Sequence, residues 1–161
     1  MVINMAFWGL AISSIISFIL LIYIFKQKNK NQLQRVFLLD IALVFCWDIG
    51  ILLQELLCSN FNINPYIFEY FVYIFACSLP VAIFFTGLIF ANTKIKFKGK
   101  YILLFIIPIV SLVMVWTNNY HHLFYINYSL NLNENIMGPY YSIYSIYNLL
   151  LYIIGLTYLL R

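Results

Sequence analysis

The sequence predicts an all-α, polytopic membrane helix bundle with five transmembrane helices. First, 65% of the 161 residues are hydrophobic and only 9% are charged, whereas soluble domains are about half apolar and a quarter charged. Second, the apolar residues form five runs, each close to the length of about 20 residues that crosses a bilayer. Third, eight of the nine basic residues cluster in two short polar connections between these runs. The abundance of tyrosine is interpreted as compositional drift.

The predicted spans are residues 5–25, 36–58, 66–92, 101–117 and 140–160. Lysines follow the first span and do not precede it, which distinguishes it from a cleaved signal peptide. Gly9, Ser13 and Ser17 recur at a spacing of four and predict a face that a neighbouring helix can approach closely. Pro80 in the third span and Pro108 in the fourth predict kinks, because proline removes a backbone hydrogen bond.

The distribution of positive charge predicts the orientation. The connections after the first and third spans hold four basic residues each, and those after the second and fourth hold none. Because cytoplasmic loops carry an excess of lysine and arginine, the N-terminus and the connection 118–139 are predicted to lie outside, and the C-terminus in the cytoplasm. This connection is 22 residues long, which favours a partly ordered or functional segment.

Acidic side chains in the second and third spans are the first candidate functional residues. Asp48 and Glu55 are seven residues apart and therefore share one stripe of a helix. Glu55 and Glu69 fall near the outer ends of consecutive helices, which predicts a similar depth in the membrane. Asp40 lies near the cytoplasmic end, and we expect an ion pair with Arg35 or with a lysine of the inner loops.

Two adjacent histidines, His121 and His122, directly follow the fourth span. With Glu55 and Glu69 they are predicted to converge at the outer mouth of the bundle, as a candidate site for a cation, a metal or a proton signal. The alternative is structural, with the histidines anchoring the helix end. Because neighbouring helical residues point about 100° apart, both imidazoles do not easily bind one metal. No metal site, cofactor or catalytic residue is predicted.

The fifth span carries one polar face. Ser145, Asn148, Tyr152 and Gly155 follow helical spacing. This face is predicted to pack inward through hydrogen bonds between helices. The alternative is that Asn148 and Tyr152 line a ligand cavity, so both residues are further sensing candidates.

Several motifs together resemble a known family. They are Trp47, Glu55, Glu69-Tyr70, Pro80, Pro108, the stretch TNNYHHLFY at residues 117–125, and Gly138-Pro139. With these residues the chain resembles the histidine kinase N-terminal seven-transmembrane sensor region. The resemblance implies a cytoplasmic output module, either a histidine kinase or a cyclic-dinucleotide synthase, and a homodimer. Because the chain ends after the fifth span, we expect a fragment, a truncated gene product or the sensor half of a split system.

These observations predict a multi-pass protein of the plasma or inner membrane. It would sense an extracellular or intramembrane stimulus and pass it to an output module absent from this chain. The lipid bilayer is its expected partner, and neither nucleic-acid binding nor enzymatic activity is expected. The alternative is a small transporter or channel subunit with Asp48, Glu55 and Glu69 as a relay, against which the sequence shows no internal repeat.

Overall fold

The computed structural model describes residues 5–61, 63–92, 95, 99–130 and 134–160. It contains α1 (Met5–Lys26), α2 (Gln32–Phe61), α3 (Tyr66–Asn92), a 3₁₀ helix (Gly99–Phe105), α4 (Ile106–Trp116), α5 (Asn118–His121), β1 (Tyr125–Asn127), β2 (Ile136–Met137) and α6 (Pro139–Leu159). Within these residues, five helical segments are long and apolar enough to cross a membrane: α1, α2, α3, the 3₁₀ helix continued by α4, and α6. The predicted all-α bundle with five spans is confirmed.

Helix α3 lies at the centre of the bundle. It packs against α2, α4 and α6, whereas α1 packs mainly against α2. Half of the most apolar window of α3 is buried, compared with 11% in α1. Exposed apolar side chains cover much of α1 and α6, as expected for helices at the outside of a bundle in lipid.

Two glycines allow α3 and α6 to approach closely. A Cβ atom built on Gly87 would lie 2.2 Å from the carbonyl oxygen of Gly155, and one on Gly155 would lie 3.1 Å from the Cα of Phe84. Any side chain at Gly87 would therefore have to push the two backbones apart. Small residues serve this purpose in membrane helices, because van der Waals contact is a main source of their association.

Pro108 lies in the first turn of α4, just after the 3₁₀ helix. A proline cannot donate to the carbonyl four residues earlier, which here belongs to Leu104. The hydroxyl of Tyr147 in α6 donates to that carbonyl instead. Pro80 lies inside α3, so the carbonyl of Ala76 likewise has no α-helical donor from Pro80. The kinks expected at both prolines stay predictions.

The two ends of the bundle differ in character. At one end, Gln32 exchanges two hydrogen bonds with the backbone of Ile95, at 2.9 and 3.0 Å; we call this the basic end, because it carries the connections after α1 and α3. The opposite end, which we call the loop end, carries the connections after α2 and α4. Lys94, Lys96, Lys98 and Arg161, on which part of the orientation argument rests, lie outside the described residues.

The expected ion pair between Asp40 and Arg35 is wrong. Asp40 Oδ2 accepts a hydrogen bond of 2.5 Å from Thr86 Oγ1 on α3, while Arg35 Nε donates to the carbonyl of Lys30 at 3.3 Å. No lysine within the described part of the chain takes the place of Arg35. The reason is that Asp40 is buried against α3, whereas Arg35 is exposed at the start of α2.

Candidate functional site

The junction after α4 is organised by the side chain of Asn118, which is 3% exposed. Its Oδ1 accepts hydrogen bonds from the backbone N–H groups of Phe124 and Tyr125, at 2.9 and 3.0 Å. Its Nδ2 donates to the carbonyl of Tyr125 at 2.8 Å. One asparagine thus satisfies three backbone groups and turns the chain back towards the bundle after α5.

Both ring nitrogens of His121 form hydrogen bonds within the same junction. Its Nδ1 accepts a hydrogen bond from the N–H of Leu123 at 3.0 Å, and its Nε2 lies 3.0 Å from Thr117 Oγ1. Because the hydroxyl of Thr117 donates to the carbonyl of Val113 at 2.6 Å, the hydrogen-bond network assigns the proton to Nε2 of a neutral imidazole. Both nitrogens of His121 therefore have a structural partner.

His122 has a different structural role. It ends α5 in the left-handed conformation, with φ at 52°, and its side chain is exposed. Histidine is among the residues that adopt this conformation more readily than most. Within the described part of the chain, no group of three or more His, Cys, Asp or Glu side chains is placed to hold a metal ion. The two histidines therefore differ: the side chain of His121 is held by hydrogen bonds within the junction, whereas His122 contributes its backbone conformation at the end of α5.

The segment after the histidines inserts aromatic rings into the bundle. Phe124 and Tyr125 are buried, together with Tyr66, Tyr73 and Tyr144. The hydroxyl groups of Tyr73 and Tyr125 lie 2.6 Å apart and share a hydrogen bond. β1 and β2 pair antiparallel and hold this segment in place. The connection 118–139, expected to be partly ordered, is therefore folded in its described residues.

Hydrogen bonds around Glu69, in the first turn of α3, link α2 and α3 to the segment that contains Tyr128; we call this group of side chains the polar junction. Glu69 is 6% exposed, and its Oε1 accepts hydrogen bonds from the Tyr128 hydroxyl and, at 3.3 Å, from Gln54 Nε2. Gln54 also donates to Tyr128 and to the carbonyl of Pro65. Burial, and then the charge of Glu69, raise the pKa of the Tyr128 hydroxyl well above its ordinary value. Tyr128 is thus a donor at physiological pH.

A cavity of about 460 Å³ opens beside this polar junction, and we call it the loop-end cavity. It is lined by Ala6, Leu10, Trp47, Ile51, Gln54, Glu55, Glu69, Val72, Tyr73, Ala76, Tyr125, Tyr128, Ser129, Leu130, Asn135, Met137, Tyr141 and Tyr144. Two of the predicted site residues, Glu55 and Glu69, therefore meet at one cavity. His121 and His122 do not line it.

The other predicted site residues lie elsewhere. Asp48 accepts a hydrogen bond of 2.6 Å from Ser13 Oγ. Of the small-residue face predicted on α1, Ser13 thus contacts α2 and Ser17 is buried, whereas a Cβ atom built on Gly9 would have no atom within 4 Å. Asn148 and Tyr152 are half-buried on α6, outside the lining of the cavity. A second cavity of about 330 Å³, between α2 and α3 beside Phe105, is almost wholly apolar and contains none of the predicted residues.

Sequence reasoning missed Gln54 and the tyrosines as site residues. Ten of the 14 tyrosines fall within residues 66–73 and 120–147, and five of them line the cavity: Tyr73, Tyr125, Tyr128, Tyr141 and Tyr144. The interpretation of tyrosine as compositional drift did not anticipate this clustering. Their concentration beside the loop end was the available signal.

Residues 9–161 match the family described as the N-terminal 7TM region of histidine kinase. The chain belongs to this family. No curated protein and no solved structure matches it significantly. The membership confirms the resemblance seen in the sequence and identifies a membrane sensor region of a multi-pass protein, a region that is not itself catalytic. The family implies a cytoplasmic kinase module as its partner.

Proposed function

We propose that this 7TM sensor region detects a small molecule in the loop-end cavity and that occupancy of the cavity repositions α3 within the bundle. The observation that carries the proposal is the contact that Tyr128 makes with two helices beside the cavity. Tyr128 comes from the connection after α4, yet its hydroxyl binds Gln54 of α2 and Glu69 of α3. A ligand that enters must contact or displace the same residues that hold these three parts together.

The cavity has the properties of a small-molecule site. Such sites usually enclose about 300–1,000 Å³ and combine an apolar, often aromatic wall with a few convergent polar groups. The loop-end cavity has about 460 Å³, an aromatic wall, and Gln54, Glu55 and Glu69 as its polar groups. The charge distribution of the sequence predicts that this end faces outside, where an extracellular stimulus would arrive.

Helix α3 is the element that would carry the signal. Glu69, Tyr73 and Ala76 line the cavity on α3, and Gly87, further along the same helix, packs directly on the backbone of α6. A shift of α3 at the cavity would therefore change its contact with α6 nearer the basic end. Closely packed helices shift between discrete arrangements more readily than they deform. The histidine kinase as output module follows from the family, and homodimerisation stays a prediction.

Filling the cavity tests this proposal. Ala76→Phe places a ring in the cavity, and spin labels at the exposed positions Phe90 of α3 and Leu156 of α6 report the spacing of the two helices. In lipid nanodiscs we expect Ala76→Phe to change the measured distance distribution. Ile67→Phe, on an exposed position of the same helix, is the matched control and should leave it unchanged. Identical distributions for both variants would contradict the proposal.

The orientation is tested separately. Leu130 and Lys28 are exposed residues at opposite ends of the bundle, and each is replaced by cysteine in a variant without Cys46, Cys58 and Cys77. A membrane-impermeant maleimide applied to intact cells should label position 130 and should reach position 28 only after lysis. The reverse pattern would place the loop-end cavity in the cytoplasm.

A further inference from the structure

We infer that the loop-end cavity is built for an organic cation, a small molecule that carries an ammonium group on an apolar body. This inference rests on the proposed function, because it names the chemical class of the ligand for the same cavity. Three features of the cavity support it: its charge, its aromatic wall, and the small number of its carboxylates.

The acidic side chains of the cavity are not balanced by basic ones. Glu55 and Glu69 line it, and its lining within the described residues includes no lysine, arginine or histidine. Glu69 has the neutral partners Gln54 and Tyr128. Glu55 is half-buried and accepts no hydrogen bond from any residue in the described part of the chain. A cationic group of a ligand would supply the missing charge partner, and an anion would be repelled.

The wall of the cavity suits a cation with an apolar body. Trp47, Tyr73, Tyr125 and Tyr128 contribute rings to it, and the negative face of an aromatic ring attracts an ammonium group. The hydroxyls of Tyr73 and Tyr125 bind each other, and that of Tyr128 binds Glu69. These hydroxyls are therefore occupied, so the wall presents chiefly rings and aliphatic groups. A neutral, polyhydroxylated ligand would find few free partners there.

An inorganic cation fits the cavity less well. Calcium takes six to eight oxygen ligands, and magnesium requires a near-octahedral set. The cavity offers two carboxylates, and within the described residues no group of three or more potential metal-ligating side chains is assembled. A volume of about 460 Å³ also far exceeds that of a bare ion. An ammonium group on an organic body fills the space and meets the charge together.

Trp47 allows binding to be measured directly in the cavity. The chain has three tryptophans, and Trp8→Phe with Trp116→Phe leaves Trp47 as the only one. The protein in nanodiscs is titrated with phenethylammonium chloride, with 2-phenylethanol as its neutral analogue, with 3-phenylpropanoate as an anion, and with MgCl₂. We expect a saturable change in fluorescence with the ammonium compound and binding weaker by about tenfold or more with the alcohol.

A matched pair of variants identifies the carboxylate. Glu55→Gln should weaken binding of phenethylammonium by about tenfold. Asp48→Asn removes the same charge from the same helix, but Asp48 is bound to Ser13 and does not line the cavity, so binding should be unchanged. Should Glu55→Gln fail to fold, the comparison of ammonium, alcohol and anion on the chain with native carboxylates still decides the question.

The other outcomes separate this inference from the proposed function. Equal binding of the alcohol and the ammonium compound, or tighter binding of the anion, would overturn the cation and leave a small-molecule cavity. Saturation by MgCl₂ alone would also overturn it, in favour of an inorganic ion. A response to none of the four probes would overturn it as well. The proposed function is judged independently, by the helix distances in the Ala76→Phe variant.

Discussion

Replacement of Asn118 with alanine is expected to destabilise the junction between α4 and the β-hairpin severely. The substitution removes three hydrogen bonds of 2.8–3.0 Å and leaves the N–H groups of Phe124 and Tyr125 and the carbonyl of Tyr125 without their partner. Each net hydrogen bond contributes about 1 kcal/mol, and buried groups without a partner cost more. We therefore expect the free energy of unfolding to fall by about 3 kcal/mol or more.

Unfolding in mixed detergent micelles, followed by circular dichroism, measures this loss. Asn119→Ala is the matched control, because Asn119 is the exposed neighbour in the same short helix, and it should cost less than about 0.5 kcal/mol. Asn118→Asp keeps Oδ1 as an acceptor but turns an oxygen towards the carbonyl of Tyr125, so it should lie between the two. A loss below about 1 kcal/mol for Asn118→Ala would refute the assigned role of Asn118.

Three further predictions concern the packing of α3 on α6, the backbone conformation at His122 and the hydrogen bonds of Tyr128. Gly87→Ala should lower the free energy of unfolding by about 2 kcal/mol, because its Cβ meets the carbonyl of Gly155. Gly9→Ala is the control and should not lower it, because a Cβ there has no atom within 4 Å. Equal effects of the two substitutions would contradict the close approach of α3 and α6. His122→Gly should leave the free energy of unfolding within about 1 kcal/mol of the native value, because glycine freely adopts the φ of 52° found at His122. His122→Val should lower it by about 1–2 kcal/mol. A large loss with glycine would indicate that the histidine side chain is essential. Tyr128→Phe should lower the free energy of unfolding by about 1–2 kcal/mol and speed amide hydrogen exchange in residues 125–130. Unchanged exchange would show that the Tyr128 hydroxyl does not hold this segment on the helices.

The candidate site was only partly predictable. Glu55 and Glu69 were expected at one depth because they flank a short connection between two helices, and both line one cavity. The histidines were expected to join them, yet His121 binds Thr117 and Leu123 instead. Spacing along the chain gives the depth of a residue. It does not give the direction of a side chain at a turn, because that direction depends on which local hydrogen bond is strongest.

The sequence by itself determined that this protein is a membrane helix bundle with five spans, because the length of an apolar run and the cost of burying charge in lipid are local properties. It also determined the family, through the stretch TNNYHHLFY. Only the tertiary structure decided that Asn118 binds the backbone of Phe124 and Tyr125. It also decided that His121 is bonded locally to Thr117 and Leu123, and that Tyr128 meets Gln54 and Glu69. Along the chain, Glu69 is 59 residues and Gln54 is 74 residues from Tyr128. No periodic pattern encodes such a pairing, which exists only once the helices have packed and the chain after α4 has folded back over them.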